Sequence, residues 1–286
     1  MGADAVYVTS PPSALSDVDP AWIEESEPHS GVPALEPSAG GLAERFSGWV
    51  GAEHPIRVFL VALFGGFALL VGVMVSLGYV LIELVLPIGG LEGADQDFVE
   101  WLADNRTPTQ EDVSWVGSTL AGGVVIPAVI GLCLLVFLVT RHWLLAAFVL
   151  FAVALESGTY RVTTLVVHRE RPDVERLESL PVDASYPSGH TAASIALYGG
   201  LLLLIASRLH HTGVKIAALV VGVAIPLFIG WARMYRGMHH LTDTGAGILL
   251  GLGALAILVF AARAASAAAN RRDALRSNTT QEVSTA

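Results

Sequence analysis

Charged residues drop out of this chain in long stretches, and the stretches recur. Residues 58–82 carry no charge and end near Glu83, and residues 113–140 form a second such run. A third helix is predicted from Trp143 to about Val167, interrupted by Glu156 and Arg161. Residues 191–207, 216–232 (with Pro226 inside) and 244–262 supply three more. A helix needs about 20 residues to cross hydrocarbon, with roughly 17 as the short limit, so all six qualify as spans. Between the first two spans the pattern changes. In DQDFVEWLADNR, residues 95–106, Phe98, Trp101 and Leu102 recur at helical spacing among acids. A short amphipathic helix at the membrane surface and an ordinary ordered loop both fit that segment. Within the sixth span, Gly247 and Gly251 form a GxxxG, a signature of close helix packing.

Composition agrees with the pattern. Of 286 residues, 53% are hydrophobic and only 15% are charged, and the mean hydropathy is +0.60, too apolar for an ordinary soluble domain. The predicted fold is all-α: a polytopic membrane protein with six transmembrane helices in a bundle over residues 57–263. The net charge of −10 is unevenly spread, because residues 1–44 hold eight acids and no Lys or Arg. That stretch is rich in Pro, Ser and Ala, so residues 1–50 are expected to be a disordered acidic tail and residues 264–286 a second disordered tail. It lacks a basic start followed by an apolar run, so it does not read as a signal peptide, and the first span is expected to act as its own insertion signal. The lone cysteine, Cys133, cannot form an intrachain disulfide.

Lys and Arg in the loops set the expected orientation. With the termini cytoplasmic, inside segments hold nine basic residues and outside loops seven, a weak bias. The first outside loop, 87–112, has one Arg against seven acids. The other six outside arginines crowd into residues 161–190 and 233–243. A cluster that resists the positive-inside bias suggests a need for positive charge there, and a phosphate-bearing substrate is the simplest one.

Three short stretches fall on that same side: HRERP at 168–172, PSGH at 187–190, and RMYRGMHHLTD at 233–243. In PSGH the Ser188 and Gly189 amides would open the fourth helix, where the first N–H groups have no helical partner and the dipole favours an anion. His190 stands beside that turn as a candidate proton donor. His239 and Asp243 are four apart and would share a face if the chain is helical there. A carboxylate on one ring nitrogen would then make the other more basic, which marks His239 as a candidate nucleophile. Arg171 and Arg233 could clamp phosphate oxygens, while His240 is expected to point elsewhere. Glu156, an intramembrane carboxylate, is expected to pair with an arginine or with Tyr160, in a structural role.

This set resembles the type 2 phosphatidic acid phosphatase superfamily, whose signature runs Lys-x6-Arg-Pro, then Pro-Ser-Gly-His, then Ser-Arg-x5-His-x3-Asp. The chain matches at Arg171-Pro172, at Pro187-Ser188-Gly189-His190, and at Arg233, His239 and Asp243. The resemblance implies a phosphatase in which His239 attacks phosphorus to give a phosphohistidine, Asp243 orients it, and His190 protonates the leaving oxygen. Arg171, Arg233 and the Ser188/Gly189 turn would hold the phosphate, with neither metal nor other cofactor. Two positions depart from the signature. Ala232 replaces its Ser, and Thr164 stands where its Lys belongs. Arg161, one helical turn from Thr164, is the first candidate to supply that charge, and Arg169 the second.

The function expected is therefore an integral membrane lipid phosphate phosphatase in a bacterial cell membrane, with its active site at the outer face. Candidate substrates are phosphatidic acid, phosphatidylglycerophosphate and undecaprenyl diphosphate. The partners expected are the lipid substrate and the bilayer, with no nucleic acid. A lipid phosphotransferase, a vanadate-holding haloperoxidase-like site, and a non-catalytic lipid-binding or scaffold protein are the alternatives.

Overall fold

Each of the six apolar stretches becomes helical; five form candidate membrane spans and the sixth is a bent pair of helices. The structure, a computed structural model, describes residues 32–51, 54–179 and 184–285, with side chains to residue 276. Most of the expected N-terminal tail, residues 1–31, lies outside them. All regular secondary structure among the described residues is helical. Helix α1 is Leu42–Val50, α2 is Pro55–Tyr79, α3 is Leu91–Asp104, α4 is Pro108–Leu120 and α5 is Val125–Val139. Helix α6 is Trp143–Val166, α7 is Gly189–Ser194, α8 is Gly200–Arg208, α9 is Thr212–Tyr235 and α10 is Leu241–Thr285. A π-turn, Val80–Val85, prolongs α2, and another, Ile195–Gly199, joins α7 to α8 as one span.

Five spans are long, apolar and continuous, and the protein is a multi-pass membrane protein. The run 113–140, expected as a single helix, is instead α4 and α5, bent by 45°. The break holds Gly122 and Gly123, which weaken a helix at that point. Below it α5 is uniformly apolar. Above it α4 carries polar residues and packs on α9. The two ends of the chain also differ from the tails expected at 1–50 and 264–286. Residues 42–50 are helical, and α10 runs unbroken from Leu241 to Thr285. The reason is mutual burial: Ala43 of α1 and Val58 of α2 pack on Ala264 and Ala268 of α10, and the Arg263 Nε donates to the Ala34 carbonyl at 2.9 Å.

The core lies along α10, which packs against α2, α6 and α7 through Leu250, Ala254 and Leu258. The GxxxG is where α10 crosses α7. A Cβ on Gly247 would stand 2.5 Å from the Ser188 carbonyl oxygen, and one on Gly251 would stand 2.7 Å from that of Ala192. Small residues at this crossing let α7, the PSGH helix, sit directly on α10.

Residues 91–104 settle as helix rather than loop. The buried face is Asp95, Val99 and Leu102, while Trp101 turns outward and stacks on Phe98. A carboxylate on the buried face of a surface helix needs a partner, and Asp95 finds one in the loop that carries the site.

Candidate active site

The ends of α6 and α9, the start of α7 and α10, and the connecting loops meet beside α3. Arg169 ties them together. It donates from Nη1 to Thr242 and to the Asp243 carboxylate, and from Nη2 to Asp95 at 2.8 Å. Asp95 also accepts from the Thr242 amide and hydroxyl. All three charges are nearly buried and each has opposite charge and hydrogen bonds around it, the condition under which buried ions are tolerated. Arg169 is thus committed to structure and does not line the cavity described below.

His239 is buried, and its Nδ1 lies 2.7 Å from the Ser185 carbonyl. A carbonyl only accepts, so Nδ1 carries the proton and Nε2 is left with the lone pair. Burial, with Arg233 nearby, holds the imidazole well below its ordinary pKa, against the opposing pull of Asp243. The ring is therefore neutral near pH 7. The expected His239–Asp243 hydrogen bond is replaced by other pairings. Asp243 accepts from the Ser185 hydroxyl at 2.5 Å, the His240 amide at 2.9 Å and the His240 Nδ1 at 3.2 Å. The helical-face argument failed because α10 begins only at Leu241, so His239 and Asp243 are not on one helix. Asp243 reaches His239 through Ser185, whose hydroxyl it holds while the Ser185 carbonyl holds the ring. Sequence reading missed Ser185 and discounted His240.

The PSGH turn is only partly available to an anion. Ser188 is buried, its amide donates to the Asp243 carbonyl at 3.0 Å, and its hydroxyl pairs with that of Thr191. Docking on α10 consumes it. Gly189 and His190 face the cavity, and glycine is required there because a Cβ would lie 2.9 Å from the Tyr160 ring.

Arg233 is fully buried. Its Nη1 donates to Ser118 and to Glu178, both at 2.5 Å, while Nε and Nη2 have no partner among the described residues. Glu178 also accepts from Arg236. Burial would raise the Glu178 carboxyl pKa, but Arg233 and Arg236 outweigh it and hold the group below the usual carboxylate range. Glu178, Ser118 and Arg236 were not foreseen. The signal was present in the surplus of arginines in 233–243, which required a carboxylate from elsewhere.

A cavity of about 720 Å³ opens between α5, α6 and α7. Arg161, Arg171, His190 and His239 converge on it, and Arg171 also donates to the Met238 carbonyl. Ile126, Ile130, Leu134, Val153 and Ala193 form an aliphatic part of its wall. Arg233 and Asp243 are not in its wall. Arg161 is exposed, and its guanidinium makes no hydrogen bond or ion pair with the described residues, whereas Thr164 is buried with its hydroxyl on the Arg161 carbonyl. Among the described residues no group of three His, Cys, Asp or Glu side chains is arranged to hold a metal ion.

All three motif stretches fall within residues 143–266, the segment matched by the PAP2 superfamily model. Over that segment the chain is similar to the PAP2 superfamily. A comparison with curated proteins gives no match. Among solved structures, the chain is similar to the first transmembrane PAP2 type phosphatidylglycerolphosphate phosphatase from Bacillus subtilis. The two are 20% identical with a TM-score of 0.56, over 72% of this chain and 94% of that one. That likeness concerns the fold.

Proposed function

We propose that this protein hydrolyses a lipid phosphate through a phosphohistidine at His239. The observation that carries the reading is the two-ended cavity. Arginines and histidines meet at one end and aliphatic side chains line the other, which suits a phosphorylated headgroup with a hydrocarbon tail. Neutral His239 attacks phosphorus from Nε2, forming an N–P bond as the P–O bond to the lipid breaks. His190 gives its proton to the departing oxygen. Water then attacks the phosphohistidine, restores His239 and releases phosphate. Arg171 and Arg161 neutralise the phosphoryl oxygens from the cavity wall. Arg233, whose Nε and Nη2 have no partner among the described residues, adds charge from behind that wall. Asp243 acts as a positioning residue through Ser185. In this reading Arg161 supplies the charge that Thr164 lacks.

The test is phosphate release by the full-length protein in detergent, with EDTA present. Phosphatidic acid, phosphatidylglycerophosphate and undecaprenyl diphosphate would be offered, with His239→Ala alongside. Release that survives EDTA and falls by at least about 10³-fold in the variant is the expected result. Equal release by the variant would remove His239 from the chemistry.

A further inference from the structure

The cavity has a third kind of wall between its cationic end and its aliphatic end. Glu156 and Ser157 both line it, on α6. Glu156 is 1% exposed, and the one hydrogen bond to its carboxylate from the described residues is from the Ser157 hydroxyl to Oε2, at 3.0 Å. It pairs with neither an arginine nor Tyr160, as a purely structural role would have required. A buried carboxylate has room for several donors and here has one. Along α6 the cavity wall reads Arg161, then Glu156 and Ser157, then Val153. At 1.5 Å per residue, Glu156 lies roughly 7.5 Å along the helix axis from Arg161.

We propose that Glu156 and Ser157 form a second polar subsite, which takes a free hydroxyl on the lipid near its scissile phosphate. The proposal rests on the phosphatase reading above and names a substrate class for it. The logic is complementarity of donors and acceptors. A lipid hydroxyl both donates and accepts, so it satisfies the Glu156 carboxyl whether or not that group carries its proton, whereas phosphate and ester oxygens bring no donor to its open acceptor positions. A prenyl chain offers no donor either. A hydroxyl on the linker between the phosphate and the tail supplies the missing donor at the depth where the wall turns polar. Lysophosphatidate and phosphatidylglycerophosphate carry such a hydroxyl, whereas phosphatidate and polyprenyl diphosphates do not. Leaving the carboxylate unmatched while a tail fills the cavity penalises those lipids, the same asymmetry by which sites built for a hydroxyl reject analogues lacking it.

A matched pair isolates the effect: 1-oleoyl-lysophosphatidic acid and its 2-deoxy analogue, which differ only in that hydroxyl. Phosphate release would be measured on the full chain in detergent for the unmodified protein, Glu156→Gln, Glu156→Leu and Ser157→Ala. The unmodified protein is expected to favour the hydroxylated lipid by about tenfold or more in kcat/KM. Glu156→Gln, which keeps an acceptor and the side-chain shape, should retain part of that ratio. Glu156→Leu should bring it close to one, with Ser157→Ala between. A ratio near one in the unmodified protein, or one that survives Glu156→Leu, overturns the subsite while leaving the phosphatase intact. No release from either lipid, nor from any lipid of the earlier panel, overturns the phosphatase reading and the subsite with it.

Discussion

Thr164 is the residue at which this chain departs most from the signature it resembles, and in the proposed reading Arg161 answers it. The two share a turn of α6, but Thr164 is buried and Arg161 reaches the cavity. Arg161→Ala should therefore cost about tenfold to a hundredfold in kcat/KM, the range of a charge-assisted hydrogen bond to phosphate, while the thermal midpoint in detergent stays put. Unchanged kinetics would return Arg161 to an ordinary interfacial arginine. At this scale the sequence was a good guide to which residues gather and a poor guide to their bonds. Arg171, His190 and His239 share one wall, as the motif spacing predicts. The partners of His239 and Asp243 were not legible, because they depend on where α10 begins and on the fold of the loop through Ser185. Hydrophobic periodicity says nothing about either.

At the scale of elements, α3 is the piece whose importance was least visible. Its pattern marked Phe98, Trp101 and Leu102, a stripe consistent with lying on a membrane. The feature that locks it is polar: Asp95, gripping Arg169 and Thr242. Asp95→Ala leaves Arg169 buried with only one of its two carboxylate partners. Losing one member of a buried pair typically costs about 3 kcal/mol or more, so the thermal midpoint should fall and activity with it. Asp95→Asn should lose less of both, and an Asp95→Ala protein as stable and active as its parent would show that α3 is not coupled to the site. By contrast the starts of the spans were legible to within about five residues, since about 20 apolar residues in a row have few other uses. The exception, the bend between α4 and α5, sits at a Gly-Gly pair that an apolar count passes over.

For the whole molecule, the candidate active site stands at one end of the bundle, and α1 packs beside the far half of α10. Six crossings would put both termini on one side, and the orientation expected from the loop charges makes that side cytoplasmic. Single cysteines in a Cys133→Ala background test it. Asp97→Cys should react with a membrane-impermeant maleimide on intact cells, and Arg276→Cys only after permeabilisation. The opposite pattern would put the active site inside.

Helix α10 has 45 residues, roughly 68 Å of rod, against about 30 Å of hydrocarbon. More than half of it has no membrane to cross. The helix that presents Asp243 at its first turn is thus also a mast standing clear of the bilayer at its other end, with the chain from Val32 to Val50 lashed along it. Whatever grips that mast holds the same shaft on which the catalytic loop is mounted.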